Sequence, residues 1–199
     1  MIRTEYLTID DFKIVEIAQH CDWDKLNIAI DDALKFDLPG ITEEYYGLIL
    51  DAFNKEVNKV SSEFSDNFST DFDTDDLING TNYKCGNRTI NFLGLKDMLV
   101  YYSYANYLMN STMNDSGIGF VKKTDQFSVP TPLKDIKEFV NSYRNRGYAI
   151  FKQLKKYVCH IPELANEYNL SLNCDCGCKN DNHFTEKRIY TFRPKIIKR

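Results

Sequence analysis

Three cysteines stand at alternate positions in "NCDCGCKNDNH": Cys174, Cys176 and Cys178, with His183 five residues later. Zinc takes four soft or borderline ligands, usually Cys and His, and these residues supply that number. The spacing departs from that of structural zinc sites, where about two to four residues separate paired cysteines. In an extended chain, alternate side chains stand about 7 Å apart on one side. Three thiolates share one ion only if the chain curls, which Gly177 permits. Cys159-His160 is a further source of a ligand. Cys174, Cys176, Cys178 and His183 are thus a candidate structural zinc site. The other reading is a loop of small, tolerant cysteines that oxidise after release from the cell.

Other chemistry is sparse. Asp71, Asp73 and Asp75 alternate as calcium ligands do, but the sixth and twelfth positions of that loop are Asp76 and Asn82, not Gly and Glu. An acidic loop is expected instead. Gly117-Ile118-Gly119 lacks the third glycine and the strand-turn-helix setting of a dinucleotide motif, so a turn is expected. The chain has three histidines. His20 precedes Cys21 and His160 follows Cys159, yet sequence neighbours do not form a dyad. There is no nucleophile elbow, phosphate loop or metalloprotease pair. The sequence therefore predicts no enzyme, no catalytic residues and no cofactor beyond the zinc.

The elements that would position these residues are mostly helical. "TIDDFKIVEIAQHC" starts at a Thr8 cap with acids in its first turn. Phe12, Val15 and Ala18 share a face, with Ile14 and Ile17 beside it. "DWDKLNIAIDDALKF" places Trp23, Leu26, Ile30, Ala33 and Leu34 together, and Leu38-Pro39-Gly40 predicts its stop. "ITEEYYGLILDAFNKEVNKVSSEF" keeps helical spacing through Ile41, Tyr45, Leu48, Ile49, Ala52, Phe53, Val57 and Val60, with Thr42 as its cap. Residues 61–80 hold six acids and no Lys or Arg, which predicts a long loop. "RTINF" at 88–92 predicts a short strand.

"GLKDMLVYYSYANYLMNST" carries Leu95, Met98, Leu99, Tyr102, Ala105, Asn106 and Met109 on one stripe. Tyr101, Tyr104 and Leu108 form a second, so this helix is covered on more than one side. "SGIGFVKKTDQFSVPTP" predicts an extended or hairpin loop with a turn near Thr124-Asp125. A long helix follows, with Pro132 in its first turn. Its expected core face is Leu133, Ile136, Phe139, Val140, Tyr143, Gly147, Ile150, Phe151, Leu154 and Val158. Pro162 ends or kinks it, and "ELANEYN" adds two turns. "HFTEKRIYTFRPKIIKR" has six basic residues and one acid. Its apolar residues and Pro194 suit an arm that adds an edge strand to another subunit, or a terminus packed on its own domain. The expected fold class is mainly α, a bundle of about five helices with a short β-hairpin or extended loop and an extended C-terminal arm. Residues 1–170 form its body, with a polar loop and short strand at 61–92. Residues 171–199 form the Cys-rich loop and arm.

The 199 residues carry a net charge of −4, divided unevenly. Residues 1–80 hold 6 Lys/Arg against 19 Asp/Glu, and residues 81–199 hold 19 against 10. Opposite halves can pair within one chain or head to tail between copies, as a ring requires; two solvated faces are the plainer reading. The acidic pI of 5.4 argues against a dedicated nucleic-acid binder. No run approaches the roughly 18 apolar residues of a membrane span, and the start "MIRTEYLTIDDF" lacks the apolar stretch of a signal peptide. Reduced cysteines and cytoplasmic synthesis are expected.

Three stretches in order, "GLKDMLVYYSYANYL", "GIGFVKKTDQFSVP" ending at Pro130, and "YRNRGYAIFKQL", resemble the head–tail connector (adaptor) proteins of tailed bacteriophages, in particular the portal-proximal rings of crAss-like phages. The resemblance covers roughly residues 8–160 and leaves out the cysteine cluster. It implies a structural, non-enzymatic virion protein at the head–tail junction, assembled in the host cytoplasm. Its implied partners are itself, in a ring of about twelve copies, the portal protein and the next tail or ring protein. Genomic DNA would pass without sequence-specific binding, and no membrane is involved. The expected interface residues are Gly117, Gly119, Phe120, Lys122, Lys123, Phe127 and Pro130 in the extended loop, and Ile189, Tyr190, Phe192 and Arg193 in the arm. The alternative is a small zinc-stabilised regulatory or nucleic-acid-associated protein.

Overall fold

The computed structural model describes residues 6–15, 21–61, 74–85, 88–111, 113–116, 119–122 and 132–171, with backbone alone at 58–61, 113–116 and 119–122. The architecture is mainly α. A 3-10 turn, Asp11–Val15, precedes α1 (Trp23–Asp32), a π-helical stretch (Ala33–Asp37), α2 (Leu38–Thr42), a 3-10 turn (Glu43–Tyr45) and α3 (Tyr46–Ser61). Then come α4 (Thr74–Asn79), strands β1 (Thr81–Cys85) and β2 (Arg88–Phe92), α5 (Leu95–Ser111), strands β3 (Met113–Ser116) and β4 (Gly119–Lys122), α6 (Leu133–Val158) and α7 (Pro162–Glu167).

Helix α5 is central. It packs against both α1 and α6, which share no comparable packing with each other among the described residues. Leu95, Met98, Leu99, Tyr102 and Ala105 of its first sequence stripe are buried, together with Val100 and Ser103, which lie on neither stripe; Tyr101, Tyr104 and Leu108 of the second are half-buried. The main core runs from Tyr6 through Leu26, Ile30, Phe53 and Phe92 to Phe151 and Leu170. A smaller cluster of Ala105, Ile136 and Val140 closes the other end of the α5–α6 contact. That contact is tight because Gly147 has no side chain. A Cβ there would stand 2.6 Å from Tyr102 Cε2. Burial, with the nearby Asp37 charge, pushes the Tyr102 hydroxyl up to about 12, so it stays neutral against the helix.

Several expectations are corrected. Helical backbone does not stop before Leu38-Pro39-Gly40. It passes through the π stretch, where the Leu38 N–H donates to Ala33 O. That wider turn makes room for Pro39, which then lies in the first turn of α2, where a missing N–H costs nothing. Thr42 is not a cap: it is buried, and its hydroxyl donates to Leu38 O at 2.7 Å. The Thr8 region forms a 3-10 turn, with the Thr8 N–H and hydroxyl both donating to Asp11 Oδ2. The 61–80 stretch is not all loop, because α4 occupies Thr74–Asn79 and buries Leu77 and Ile78. Its Asp75 lies in a helical turn and accepts from Asn79 Nδ2.

The "RTINF" strand forms as expected and pairs with β1, which the sequence reading missed. The register runs from Thr81 opposite Phe92 to Cys85 opposite Arg88. Gly80 and Gly94 close the base of this hairpin, both with positive φ, and a Cβ on Gly94 would meet Gly80 N at 2.6 Å. Strands β3 and β4 pair with Ser116 opposite Gly119, so this hairpin reverses earlier than the expected turn near Thr124-Asp125, which lies outside the described residues. Among expected core residues, Trp23, Ile14, Leu133 and Phe139 are exposed.

Gly147→Ala should lower stability by about 1–2 kcal/mol, because overpacking against the ring outweighs the gain of about 1 kcal/mol in helix propensity. In urea denaturation the Gly147→Ala/Tyr102→Leu pair should lose less than the sum of the single changes. Stabilisation by Gly147→Ala alone would contradict the close approach.

Candidate functional site

Three elements meet at a polar tie. Asp37 ends the π stretch, Asn106 lies on α5 and Arg144 on α6. Asn106 Nδ2 donates to Asp37 Oδ2 at 2.7 Å, and Arg144 Nη2 donates to Asn106 Oδ1 at 3.0 Å. Arg144 also reaches Asp37 Oδ1 at 3.4 Å. The sequence reading set Asn106 in an apolar stripe. An amide there is the one signal that a polar partner had to be supplied from outside the helix.

A tyrosine cluster lies beside the tie. Tyr101 stacks on Tyr143 with centroids 6.2 Å apart, and Tyr104 meets Tyr143 edge-on at 5.0 Å. The Arg146 guanidinium lies 5.5 Å from the Tyr143 ring centre. Tyr107 accepts from the Asp22 N–H at the start of α1. Asp22 itself caps α1 by accepting from the Lys25 N–H. The α1 and α6 flanks are thus both pinned to α5 by side chains.

The outward faces of those flanks differ in sign. Helix α6 carries Lys134, Lys137, Arg144, Arg146, Lys152, Lys155 and Lys156 against Asp135 and Glu138, all exposed. The α1 region presents Asp22, Asp24, Asp31, Asp32 and Asp37 against Lys25 and Lys35. Large apolar side chains stand among these charges: Ile28 is 57% exposed, Phe36 73%, Phe139 58% and Tyr148 44%. A shallow concavity over α6, lined by Glu138, Asn141, Ser142, Asn145, Arg146 and Ala149, is open to solvent.

The candidate zinc ligands Cys174, Cys176, Cys178 and His183 lie outside the described residues. Among the described residues no group of His, Cys, Asp and Glu is placed to hold a metal ion. Cys85 and Cys159 are buried and disulfide-bonded, which departs from the expected reduced state and leaves Cys159 no free thiolate to offer a metal. Cys21 is a free thiol. His160 lies against the Tyr83 ring at 4.9 Å, and its Nε2 is buried without a hydrogen-bond partner among the described residues.

Of the expected interface residues, Gly119, Phe120 and Lys122 belong to β4. Gly117, Lys123, Phe127, Pro130, Ile189, Tyr190, Phe192 and Arg193 lie outside the described residues. Ser171, the last described residue, donates to Glu44 Oε2 at 2.7 Å. Tyr168 donates to Asp51 Oδ2, and burial together with that bond raises its pKa. These bonds fix the end of the body against the start of α3. No described helix is long and apolar enough to cross a membrane.

The sequence profile of a family of unknown function, DUF6712, matches residues 54–179. The chain belongs to this family. The DUF6712 segment contains the second half of α3, all of α4 to α7 and the three clustered cysteines. It thus includes Asn106 and Arg144 of the tie but not Asp37 or α1. No curated protein and no solved structure matches the chain.

Asn106→Ala should cost about 1–3 kcal/mol, since it strips Asp37 and Arg144 of their shared partner. Arg144→Ala should cost less than about 1 kcal/mol, because that side chain is half exposed. Urea denaturation measures both. An Asn106→Ala effect within about 0.5 kcal/mol of zero would show that the tie is dispensable.

Proposed function

We propose that this chain is a non-enzymatic structural subunit of a tailed-phage neck, a ring that extends the DNA channel below the portal and docks the next tail component. The observation that carries the reading is the separation of charge on the body. An acidic flank and a basic flank lie on either partner of the central helix α5, each with exposed apolar side chains. Two unlike surfaces on one subunit suit a heterologous contact, which closes into a ring when the rotation allows. The β3–β4 hairpin is the element proposed to reach a neighbour. The resemblance carried by the α5, "GIGFVKK…FSVP" and α6 stretches supports the same reading. The proposed location is the virion head–tail junction, after assembly in the host cytoplasm.

The reading also retains a structural zinc at Cys174, Cys176, Cys178 and His183. Bound there, the metal would staple the base of the basic terminal arm and leave the helical body's core unchanged. Elemental analysis should find close to one zinc per chain, and less than about a tenth of an equivalent would overturn the site.

Mass photometry and electron microscopy of the purified protein, alone and mixed with its portal, test the main reading. A ring of about twelve copies, formed alone or on the portal, is expected. A monomer that ignores the portal would contradict the proposal, and a zinc-dependent monomer that binds DNA would replace it with a regulatory role.

A further inference from the structure

The outer surface of α1 carries a regular row. Asp24, Ile28 and Asp32 follow at every fourth position, one above the other along the helix, and Phe36 continues the row in the π stretch. The two apolar members are the exposed Ile28 and Phe36. Neighbouring acids are already engaged, Asp22 with Lys25 and Asp31 with Lys35. Asp24 and Asp32 have no ion-pair partner among the described residues.

The C-terminal half of α6 carries the complement. Tyr148, Lys152 and Lys156 follow at every fourth position, with Lys155 beside them. Lys152 Nζ lies 4.7 Å over the Tyr148 ring, so the aromatic face and the cation present together. Neither Lys152 nor Lys156 has a carboxylate partner among the described residues. Single exposed apolar residues are ordinary on a protein surface. A row that alternates unpaired acid with large apolar, opposite in sign to a second row on the far partner of α5, is not.

We propose that a second copy of this chain docks here, the Asp24–Ile28–Asp32–Phe36 row of one copy lying on the Tyr148–Lys152–Lys156 face of α6 of the next. The contact is heterologous, because the two rows are different surfaces held apart by α5. Ile28 and Phe36 supply apolar area to the centre of the contact, and the four charges fix its register and orientation. The proposal deepens the ring reading and rests on it, by naming the subunit contact.

The test uses two full-length variants, Lys152→Glu/Lys156→Glu and Asp24→Lys/Asp32→Lys. All four side chains are exposed or half-exposed, and circular dichroism with thermal melting confirms that each variant folds. Each variant alone puts like charges across the contact and should self-associate roughly a hundredfold more weakly than the wild type. An equal mixture should assemble again, because the intact α1 row of one variant meets the intact α6 face of the other, and the two reversed rows meet each other. The chain carrying all four changes should assemble too. Raised salt should weaken wild-type assembly. If the wild type assembles and both variants assemble unchanged, the contact is wrong while the ring reading stands. If the wild type is monomeric at every concentration and on the portal, both fail. If only the lysine changes matter and only for nucleic acid, the α6 face binds nucleic acid and the proposal is overturned.

Discussion

Helix α5 is buried or half-buried at every position but Asn110, and the arrangement of the other elements follows from that. A helix apolar on more than one side must be covered on more than one side. Helix α1 and its π extension cover one flank and α6 covers another. Tyr102 requires a gap in α6, and Gly147 provides it. The 3-10 turn of residues 11–15 lies across the start of α5, where Asp97, raised in pKa by burial and by Asp11, is held among these contacts. The first hairpin joins the same core from the side, with Phe92 stacked on Tyr157 at 5.2 Å.

Covering α5 from two flanks has a consequence for charge. Asp22, Asp24, Asp31, Asp32 and Asp37 end up on one flank, and the lysines of the long helix end up on the other. The tie of Asp37, Asn106 and Arg144 is the point where the two meet within one subunit. It uses one acid and one base; Asp24 and Asp32 on one outer surface and Lys152 and Lys156 on the other have no ion-pair partner among the described residues. We propose that this division of charge serves repeated association between copies. The proposed neck ring and the proposed α1–α6 contact are two scales of that property.

Much of the body was legible in the sequence because burial there is periodic. The stripes of α3, α5 and α6 place Ile49, Phe53, Met98, Leu99, Ile150 and Leu154 in the core, where the structure has them. Errors arose where tertiary contacts override local signals. Leu38-Pro39-Gly40 reads as a breaker, but a π turn absorbs the proline. "TDDLIN" reads as acidic loop, yet Leu77 and Ile78 are buried and draw it into a helix. Strand β1 alternates only weakly and exists because β2 pairs with it. Phe139 keeps helical spacing with the core face but lies at its edge and points to solvent. The polar tie was only half visible, since Asn106 marks its own position and nothing in sequence links it to Asp37 and Arg144, which lie 69 residues before it and 38 after.

The central claim is that unlike flanks of neighbouring copies meet. Carboxylate-to-lysine zero-length cross-linking of an assembled mixture of isotopically light and heavy chains reads that contact directly. The account predicts light–heavy cross-links joining Asp24 or Asp32 of one copy to Lys152 or Lys156 of another. An assembled ring whose only cross-links between copies join other surfaces, with none from these residues, would contradict it.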